Sequence, residues 1–289
     1  MQGAARALFD SRFLLSRPPR VPRNFSNTQK GHAMHTIALV SRKGGTGKST
    51  LAIGLAVAVT EAGHRVRILE ADPLATISNW RMRRSAIEPA VESVRDGYEL
   101  VQRVRVLAQR DVTLTIVDTA GGWSEPWSGA VAAADLCLIP ARPSLADIEA
   151  AAPALAAIRA ERKPFAFILN QTPVRRQRPD AAAASLGATK SSLDMMGVLA
   201  LPYIAQRNDQ QDAIAAGLAV TEFAREGKSA DEIRALWRWV WARLTSIAPG
   251  EADPMNDAPG HAESGPTIPA DLPTEPLPPD RAVDLYAAP

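Results

Sequence analysis

Short apolar runs alternate with helical patterns along the middle of the chain. Runs of six to eight residues rich in Val, Ile and Leu are typical of buried strands. Patterns typical of helices lie between them, beginning at Ser49, near Thr76, near Gly97 and after Ser144. This alternation predicts an α/β fold, with a mostly parallel twisted sheet and helices on both faces. The predicted strands are 36–41, 65–72, 112–119, 135–141, 164–171 and, within MGVLALPYIA, 196–205.

The two ends of the chain differ from this middle. Residues 1–34 are rich in arginine and poor in acid, which predicts a disordered leader or a start codon assigned too early, rather than the transit peptide that they resemble in composition. Residues 248–289 hold ten of the 23 prolines and few large apolar side chains, so we expect them to be disordered. One domain is therefore expected over residues 35–247.

Composition indicates which partners and which cellular compartment this domain can have. The net charge is +2, but residues 1–35 carry six basic and one acidic residue, and residues 247–289 carry one basic and eight acidic residues. The domain is therefore modestly basic, which permits a polyanionic partner without requiring one. The single cysteine, Cys137, lies in an apolar run and predicts a buried thiol, as in cytoplasmic proteins. No run of the sequence is long enough to span a bilayer, so no membrane partner is expected.

The stretch SRKGGTGKST, residues 41–50, follows the first predicted strand and opens the first predicted helix. This is the context of a phosphate-binding loop, whose pattern is G-x-x-x-x-G-K-[ST]. The glycines allow a tight turn that points backbone N–H groups at phosphate oxygens, and the helix adds its positive end. Lys48 would neutralise the β- and γ-phosphates of ATP, and Ser49 would bind Mg²⁺ through its hydroxyl. The sequence therefore predicts a P-loop NTPase.

The loop departs from that pattern at its start. Arg42 stands where the first glycine belongs, and Lys43 follows it. KGGTGKST resembles the deviant Walker A motif of the ParA/MinD superfamily of ATPases. The resemblance implies that Lys43 is the signature lysine, which reaches the nucleotide of a partner subunit in an ATP-dependent homodimer. It also implies that the whole loop contacts ATP, through Gly44, Gly45, Thr46, Gly47, Lys48, Ser49 and Thr50.

Other stretches extend this resemblance over about 36–246. ILEADPLATISNW resembles the family's D-x-D-P-Q segment, which makes Asp72 the acid that positions the attacking water. Glu70 stands where the family usually has aspartate, and Leu74 where it often has glutamine. LTIVDTAGGWSE resembles the Walker B strand, so Asp118 is expected to bind Mg²⁺. Taken singly, Asp118 could cap a turn and Asp72 could be a turn residue, but their register with Lys48 favours the site.

The later segments are similar to the family's dimer face and base site. DLCLIPARPSLADIEAA is similar to the strand and loop that pack at the dimer face. FILNQT ends in Asn170, the adenine-edge residue by resemblance, and Pro202 lies in the segment LPYIAQRNDQQDAIAAGLAVTEF, which resembles the surroundings of the base. The DP-x-x-x-x-x-N-W and IAQR forms look most like the small plasmid-type, ParF-like partition proteins, and an accessory partition ATPase of conjugative transfer is a close cousin.

A basic amphipathic helix is predicted near the end of the domain, over SADEIRALWRWVWARLTSIA. Ser229 and Glu232 predict a capping box at its start. One face is apolar, and Trp239 is expected to point away from the core. The arginines Arg234 and Arg238 could form a solvated face or could contact DNA phosphates. PVRRQR, which contains Arg175 and Arg176, is either a second basic DNA contact or a simple loop.

The resemblance implies an ATP-driven partition ATPase of the cytoplasm that sits on nucleoid DNA and is stimulated by a ParB-like centromere-binding protein. Two other classes share the fold. A MinD-like membrane switch needs a basic amphipathic terminal helix, which the acidic, proline-rich tail does not offer. A biosynthetic amidase or ligase often needs a catalytic cysteine, which Cys137 does not fit. An iron–sulfur relative is excluded because it needs clustered cysteines.

Overall fold

A computed structural model describes residues 34–122, 124–174 and 198–246. Within them a six-stranded, wholly parallel sheet has the order β3-β2-β4-β1-β5-β6. The order reverses its direction beside β1, which is where ligands bind in open α/β sheets. The strands are β1 His35–Leu39, β2 Val66–Ala71, β3 Ala90–Ser93, β4 Leu114–Thr119, β5 Leu136–Ala141 and β6 Phe165–Leu169.

Helices cover both faces of the sheet, as the alternating pattern predicted. Alternate residues of one strand serve opposite faces: Ile37 and Leu39 pack with the first and last helices, whereas Ala38 packs with the helices of the middle of the chain. The first core contains α1, α2, α6, α7 and α8, and the second contains α3, α4 and α5. The helices are α1 Lys48–Glu61, α2 Thr76–Arg83, α3 Gly97–Ala108, α4 Glu125–Ala133, α5 Leu145–Ala160, α6 Asn208–Ala215, α7 Val220–Phe223 and α8 Lys228–Ser246.

The sixth strand is not the one that the sequence predicted. Strand β3 (Ala90–Ser93) was missed because it is short and only half-buried at the sheet edge. The predicted strand at 196–205 is wrong over its described part. Residues 198–205 run beside β6 and make only isolated parallel bridges. Pro202 interrupts any ladder there because it has no N–H to donate.

The C-terminal helix confirms one prediction and corrects two. Its predicted apolar face is buried against α1. The predicted capping box is wrong, because the helix begins at Lys228 and Ser229 lies inside it. Ser229 Oγ donates to Asp209 Oδ1 at 2.8 Å, and Glu232 accepts two bonds from Arg207. The expectation for Trp239 is also wrong, since its ring packs against the core.

Two predictions about composition can be compared with the described ranges. Cys137 is buried in β5, and burial raises the pKa of its thiol to about 12, so it is an inert core residue as predicted. No helix of the three described ranges has the length and apolar character needed to cross a bilayer. The predicted leader and tail lie outside the described residues.

Candidate functional site

The loop between β1 and α1 has the backbone of a phosphate cradle. Gly45 and Gly47 adopt positive φ angles of 73° and 89°, which disfavour a side chain. A Cβ at Gly47 would also lie 2.3 Å from the side-chain nitrogen of Asn170. Helix α1 begins at Lys48, and its first turn leaves N–H groups available to an anion. Both glycines and the helix start are therefore where the motif predicted them.

Two amides at the end of β6 hold the loop in this shape. Asn170 Nδ2 donates to the carbonyl oxygen of Thr46 at 2.7 Å, and Gln171 Nε2 donates to that of Gly45 at 2.9 Å. The side-chain amino group of Asn170, which was predicted as an adenine-edge residue, thus donates to the loop backbone. Gln171 was not predicted as a site residue, and only its position next to Asn170 could have suggested it.

Ser49, in the first turn of α1, meets Asp118, which lies near the end of β4. Ser49 Oγ donates to Asp118 Oδ2 at 2.6 Å. Asp118 is fully buried, and its other oxygen, Oδ1, has no hydrogen-bond partner among the described residues. Burial raises the pKa of Asp118 to about 7, although the bond from Ser49 and the charge of Lys48 oppose the change. A buried carboxyl oxygen without a partner is a costly feature that a ligand can relieve.

The Ser49 hydroxyl and the Asp118 carboxylate are suitable ligands for a magnesium ion. Mg²⁺ prefers carboxylate and hydroxyl oxygens, and proteins usually hold it with one or two such groups together with substrate phosphates. No cluster of three His, Cys, Asp or Glu side chains in the described ranges could hold a metal without such help. The donor set therefore suits Mg²⁺ that arrives with a nucleotide.

Lys48 is buried within the loop. Its Nζ donates to the carbonyl oxygen of Ser41 at 3.5 Å, across the concave side of the loop. Burial lowers the pKa of Lys48, against the opposing attraction of Asp118 and Asp72. The hydrogen bond to Ser41 is long, so the ammonium is weakly held and suits a phosphate-binding lysine.

The two acids at the end of β2, Glu70 inside the strand and Asp72 just after it, have different surroundings. Asp72 lies at the edge of the site and accepts a bond from the N–H of Leu74 at 3.0 Å. Glu70 is buried and accepts bonds from the N–H groups of Ile77 (2.6 Å) and Ser78 (3.0 Å) and from the Ser78 hydroxyl. Glu70 therefore anchors the start of α2, where a carboxylate is favoured by the helix dipole. A glutamate reaches these N–H groups with its extra methylene.

Lys43 does not lie over its own phosphate loop. Its Nζ forms an ion pair with Asp147 Oδ1 at 3.0 Å, and Asp147 lies in the first turn of α5. Asp147 was not predicted as a site residue. The S-x-x-D pattern that it forms with Ser144 signals a helix start, but nothing local signals the contact with Lys43.

The turn after β4 lies against the loop. A Cβ at Gly121 would be 3.5 Å from the Cα of Gly44, so the two backbones pass within van der Waals contact. Gly122 has a positive φ of 98°. Any movement of this turn would therefore reach the phosphate loop directly.

The remaining predicted residues are more scattered. Thr50 lines a cleft of 550 Å³ between α1, α2 and α6, together with Thr76 and Gln211. Pro202 is half-buried in the segment beside β6. The side of Thr50 that lines this cleft belongs to α1, directly after the loop, whereas Pro202 lies in the segment beside β6.

The predicted DNA-contacting arginines are not equivalent. Arg234 is half-buried and donates to the carbonyl oxygens of Arg225 (2.6 Å) and Thr221 (3.3 Å). Arg238, one turn further along α8, is exposed. Arg175 and Arg176 lie outside the described residues.

Comparison with known proteins identifies the family. Residues 37–228 match the CobQ/CobB/MinD/ParA nucleotide binding domain. The chain belongs to this family. Its membership makes it a nucleotide-binding protein of the ParA/MinD ATPase type, and it confirms the resemblance expected from the loop.

The similarity to individual relatives covers most of the chain in some cases and less than half in others. It is 28% identical over 210 residues to the maintenance of carboxysome distribution protein A of Halothiobacillus neapolitanus, covering 68% of this chain and 92% of the relative. It is 33% identical over 130 residues to protein ParA of Rhizobium radiobacter, covering 44% and 58%. The solved MinD cell division protein of Aquifex aeolicus has a TM-score of 0.58 at 19% identity, covering 74% of this chain and 98% of that protein. That last similarity concerns the fold.

Proposed function

We propose that the chain is an Mg-dependent ATPase that pairs with a second copy when ATP is bound and uses the cycle to partition or position a large cargo over DNA. The observation that carries the proposal is the buried Ser49–Asp118 pair with its unpartnered carboxyl oxygen, next to Lys48 in a glycine cradle. A nucleotide with its metal satisfies all three groups at once.

The residues around the cradle divide the work. Lys48 and the loop N–H groups bind the phosphates, and Ser49 and Asp118 hold the metal ion. When bound, Mg²⁺ neutralises charge that develops on the phosphates. Asp72 orients the attacking water, and Asn170 and Pro202 border the base. Glu70 takes no part in the chemistry, because its oxygens are committed to α2.

Lys43 acts between subunits. It follows the loop's start and points away from the cradle of its own chain, towards Asp147. A second positive charge supplied by another copy makes ATP binding and pairing a single event, since the charge of the triphosphate is offset only in the dimer. Turnover is slow until a partner protein completes the site.

The decisive experiment measures molecular mass in solution. The protein is sized by sedimentation with Mg-ADP and with a non-hydrolysable ATP analogue, each with and without plasmid DNA. We expect a monomer with ADP, a dimer with the analogue, and DNA binding by the dimer alone. A monomer under every condition, or Lys43→Ala pairing and hydrolysing ATP like the parent, would contradict the proposal.

DNA binding is assigned to Arg234 and Arg238 of α8, with Arg175 and Arg176 as the second candidate contact. The double variant Arg234→Ala/Arg238→Ala should weaken binding to random-sequence DNA and lower the salt dependence by about one unit of slope per lost phosphate contact. ATP binding should be unchanged. Arg110→Ala, an exposed arginine just after α3, is the matched control. Unchanged DNA affinity in the double variant would move the contact to Arg175 and Arg176.

The cargo can be DNA or a protein body. The relative from Rhizobium radiobacter is a protein ParA, and the relative from Halothiobacillus neapolitanus is named for the maintenance of carboxysome distribution. We favour partition with a ParB-like partner in the cytoplasm. ATP turnover should rise when a small DNA-binding adapter encoded beside the chain is added with its DNA site. Stimulation by an adapter that binds no DNA would favour a protein cargo instead.

A further inference from the structure

Asp147 is surrounded by donors from three directions. Its side chain is only 4% exposed, and Lys43 Nζ lies 3.0 Å from Oδ1. Arg142 Nη2 lies 3.3 Å from the same oxygen, and Ser144 Oγ donates to Oδ2 at 2.5 Å. Burial alone would raise the pKa of Asp147, but the bonds from Ser144 and Lys43 and the charge of Arg142 hold it below its usual value. The carboxylate is therefore charged at neutral pH and needs a cation.

The two cations compete for one oxygen. Lys43 and Arg142 both contact Oδ1, while Oδ2 is taken by Ser144. If Lys43 left, the buried carboxylate would keep Arg142 and Ser144 as partners, so the departure would not leave an uncompensated charge. If Arg142 were absent, Lys43 would be the one cation within 4 Å of this acid among the described residues. The strength of the Lys43 contact thus depends on Arg142.

Strand order explains why this contact exists. Strands β1 and β5 are neighbours in the sheet, so the loops that follow them lie side by side. The loop after β1 carries Lys43, and the loop after β5 carries Arg142 and leads to Asp147. The same arrangement keeps Lys43, which is 35% exposed, at the rim from which another chain would be reached.

We propose that Asp147 retains Lys43 within its own subunit, and that Arg142 is the competing cation that releases it. Together they set the nucleotide concentration at which two subunits pair. This inference rests on the proposed function, in which Lys43 acts on the nucleotide of another copy. Asp147 and Arg142 are positioning residues, because they act through Lys43.

The alternative role for Asp147 is local. Ser144 is the N-cap of α5, and the N–H of Asp147 donates to its hydroxyl at 3.2 Å. If Asp147 served only this helix start, its replacement would weaken the fold and could only impair pairing. The retention role predicts the opposite sign for pairing, which separates the two.

The test is a titration of the full chain with a non-hydrolysable ATP analogue and Mg²⁺, with dimer formation followed by sedimentation. Asp147→Asn keeps a side chain that can accept from Ser144 and removes the charge. We expect its pairing midpoint to fall about fivefold, the scale of one partly exposed ion pair. Arg142→Gln strengthens the hold on Lys43, and its midpoint should rise by about the same factor.

A double variant and the opposite sign expected for Arg142→Gln make the outcome decisive. In a Lys43→Gln background, Asp147→Asn should not restore pairing, because the side chain that it would release is gone. If Asp147→Asn fails to fold, the half-exposed Arg142→Gln still tests the inference through its opposite sign. Shifts of the same direction in both single variants, or no shift in either, would overturn it.

Failure of the inference can be told from failure of the proposed function. If the parent chain does not pair with the ATP analogue, the proposed function is wrong. If the parent pairs, Lys43→Gln abolishes pairing, and Asp147→Asn leaves the midpoint unchanged or raises it, the proposed function stands and the retention role is wrong.

Discussion

Two buried charge clusters in this molecule are built in opposite ways. Arg84 is 3% exposed and donates two bonds of 2.7 Å to Glu222, with further bonds to the carbonyl oxygens of Glu88 and Gly217. Its guanidinium also lies 5.0 Å from the ring centroid of Trp80. In the other cluster, Asp118 has one partner for two oxygens.

The pKa values of the two carboxyls record this difference. Burial alone would raise the pKa of Glu222, but bonds from Arg84 and from the N–H of Ala219 bring it below its usual value. For Asp118 burial dominates, and its pKa rises to about 7. A complete ion pair joins α2 to α7 and stabilises the fold, whereas an incomplete cluster is held ready for a ligand.

The largest effect should come from replacing Lys48, whose charge lies near Asp118 in the incomplete cluster. Lys48→Met should reduce ATP turnover about 10³-fold, because a phosphate loses a preorganised charge in the transition state. Its free energy of unfolding without nucleotide should not fall, since a buried ammonium is replaced by an apolar side chain of similar length. Phosphate release and urea unfolding measure the two quantities. Turnover within tenfold of the parent would contradict the assignment.

The pH dependence of stability sharpens the comparison next. The pKa of Asp118 is 3.8 in an ordinary setting and about 7 here, so the folded state binds an extra proton between these values. The free energy of unfolding in metal-free buffer should therefore fall as the pH rises from about 4 to 7, by on the order of 4 kcal/mol, and then level off.

The matched control for that titration is Asp118→Asn, which lacks the ionisable group. Subtracting its unfolding free energies from those of the parent removes the opposing contributions of Glu222 and Asp147. A difference that is flat across this pH range would show that Asp118 ionises normally. The buried carboxyl of the incomplete cluster would then cost the folded state no more than the carboxyl of the complete cluster does.

Removing one partner of the complete Arg84–Glu222 cluster should lower the free energy of unfolding. Arg84→Met leaves Glu222 without its cation, and we expect a loss of about 3 kcal/mol in the free energy of unfolding. The double variant Arg84→Met/Glu222→Gln should recover most of this loss, because no unpaired charge remains. Urea unfolding at pH 7 measures both. A single variant that loses less than about 1 kcal/mol would place this pair among weak surface contacts.

The smallest effect is expected at Glu70, which stands near the site but has satisfied oxygens. Glu70→Gln should cost about 1 kcal/mol of stability, since the helix start of α2 loses a charged acceptor. ATP turnover below the unfolding transition should stay close to that of the parent. A large loss of turnover with unchanged stability would move Glu70 into the catalytic machinery.

The fold class and the position of the glycine-rich loop could be predicted from the chain because their signals are local. The phosphate loop, the acid at the end of β4 and the parallel sheet follow from short motifs and from the alternation of apolar runs with helical patterns. Strand β3 was not predicted because its four partly exposed residues show no clear alternation of apolar and polar positions. The capping box at Ser229 failed because a serine and a glutamate at that spacing also serve tertiary bonds, here to Asp209 and Arg207.

The amino-acid order was sufficient for the family, the fold class and the glycine-rich loop, because each depends on neighbours within a few positions. Packing alone settled the partners of Lys43, Glu70 and Arg84, since each lies on a segment whose neighbour is chosen by strand order or helix docking. Contacts between distant segments leave no periodic trace in a single chain. The retention of Lys43 by Asp147 could therefore be recognised only in three dimensions.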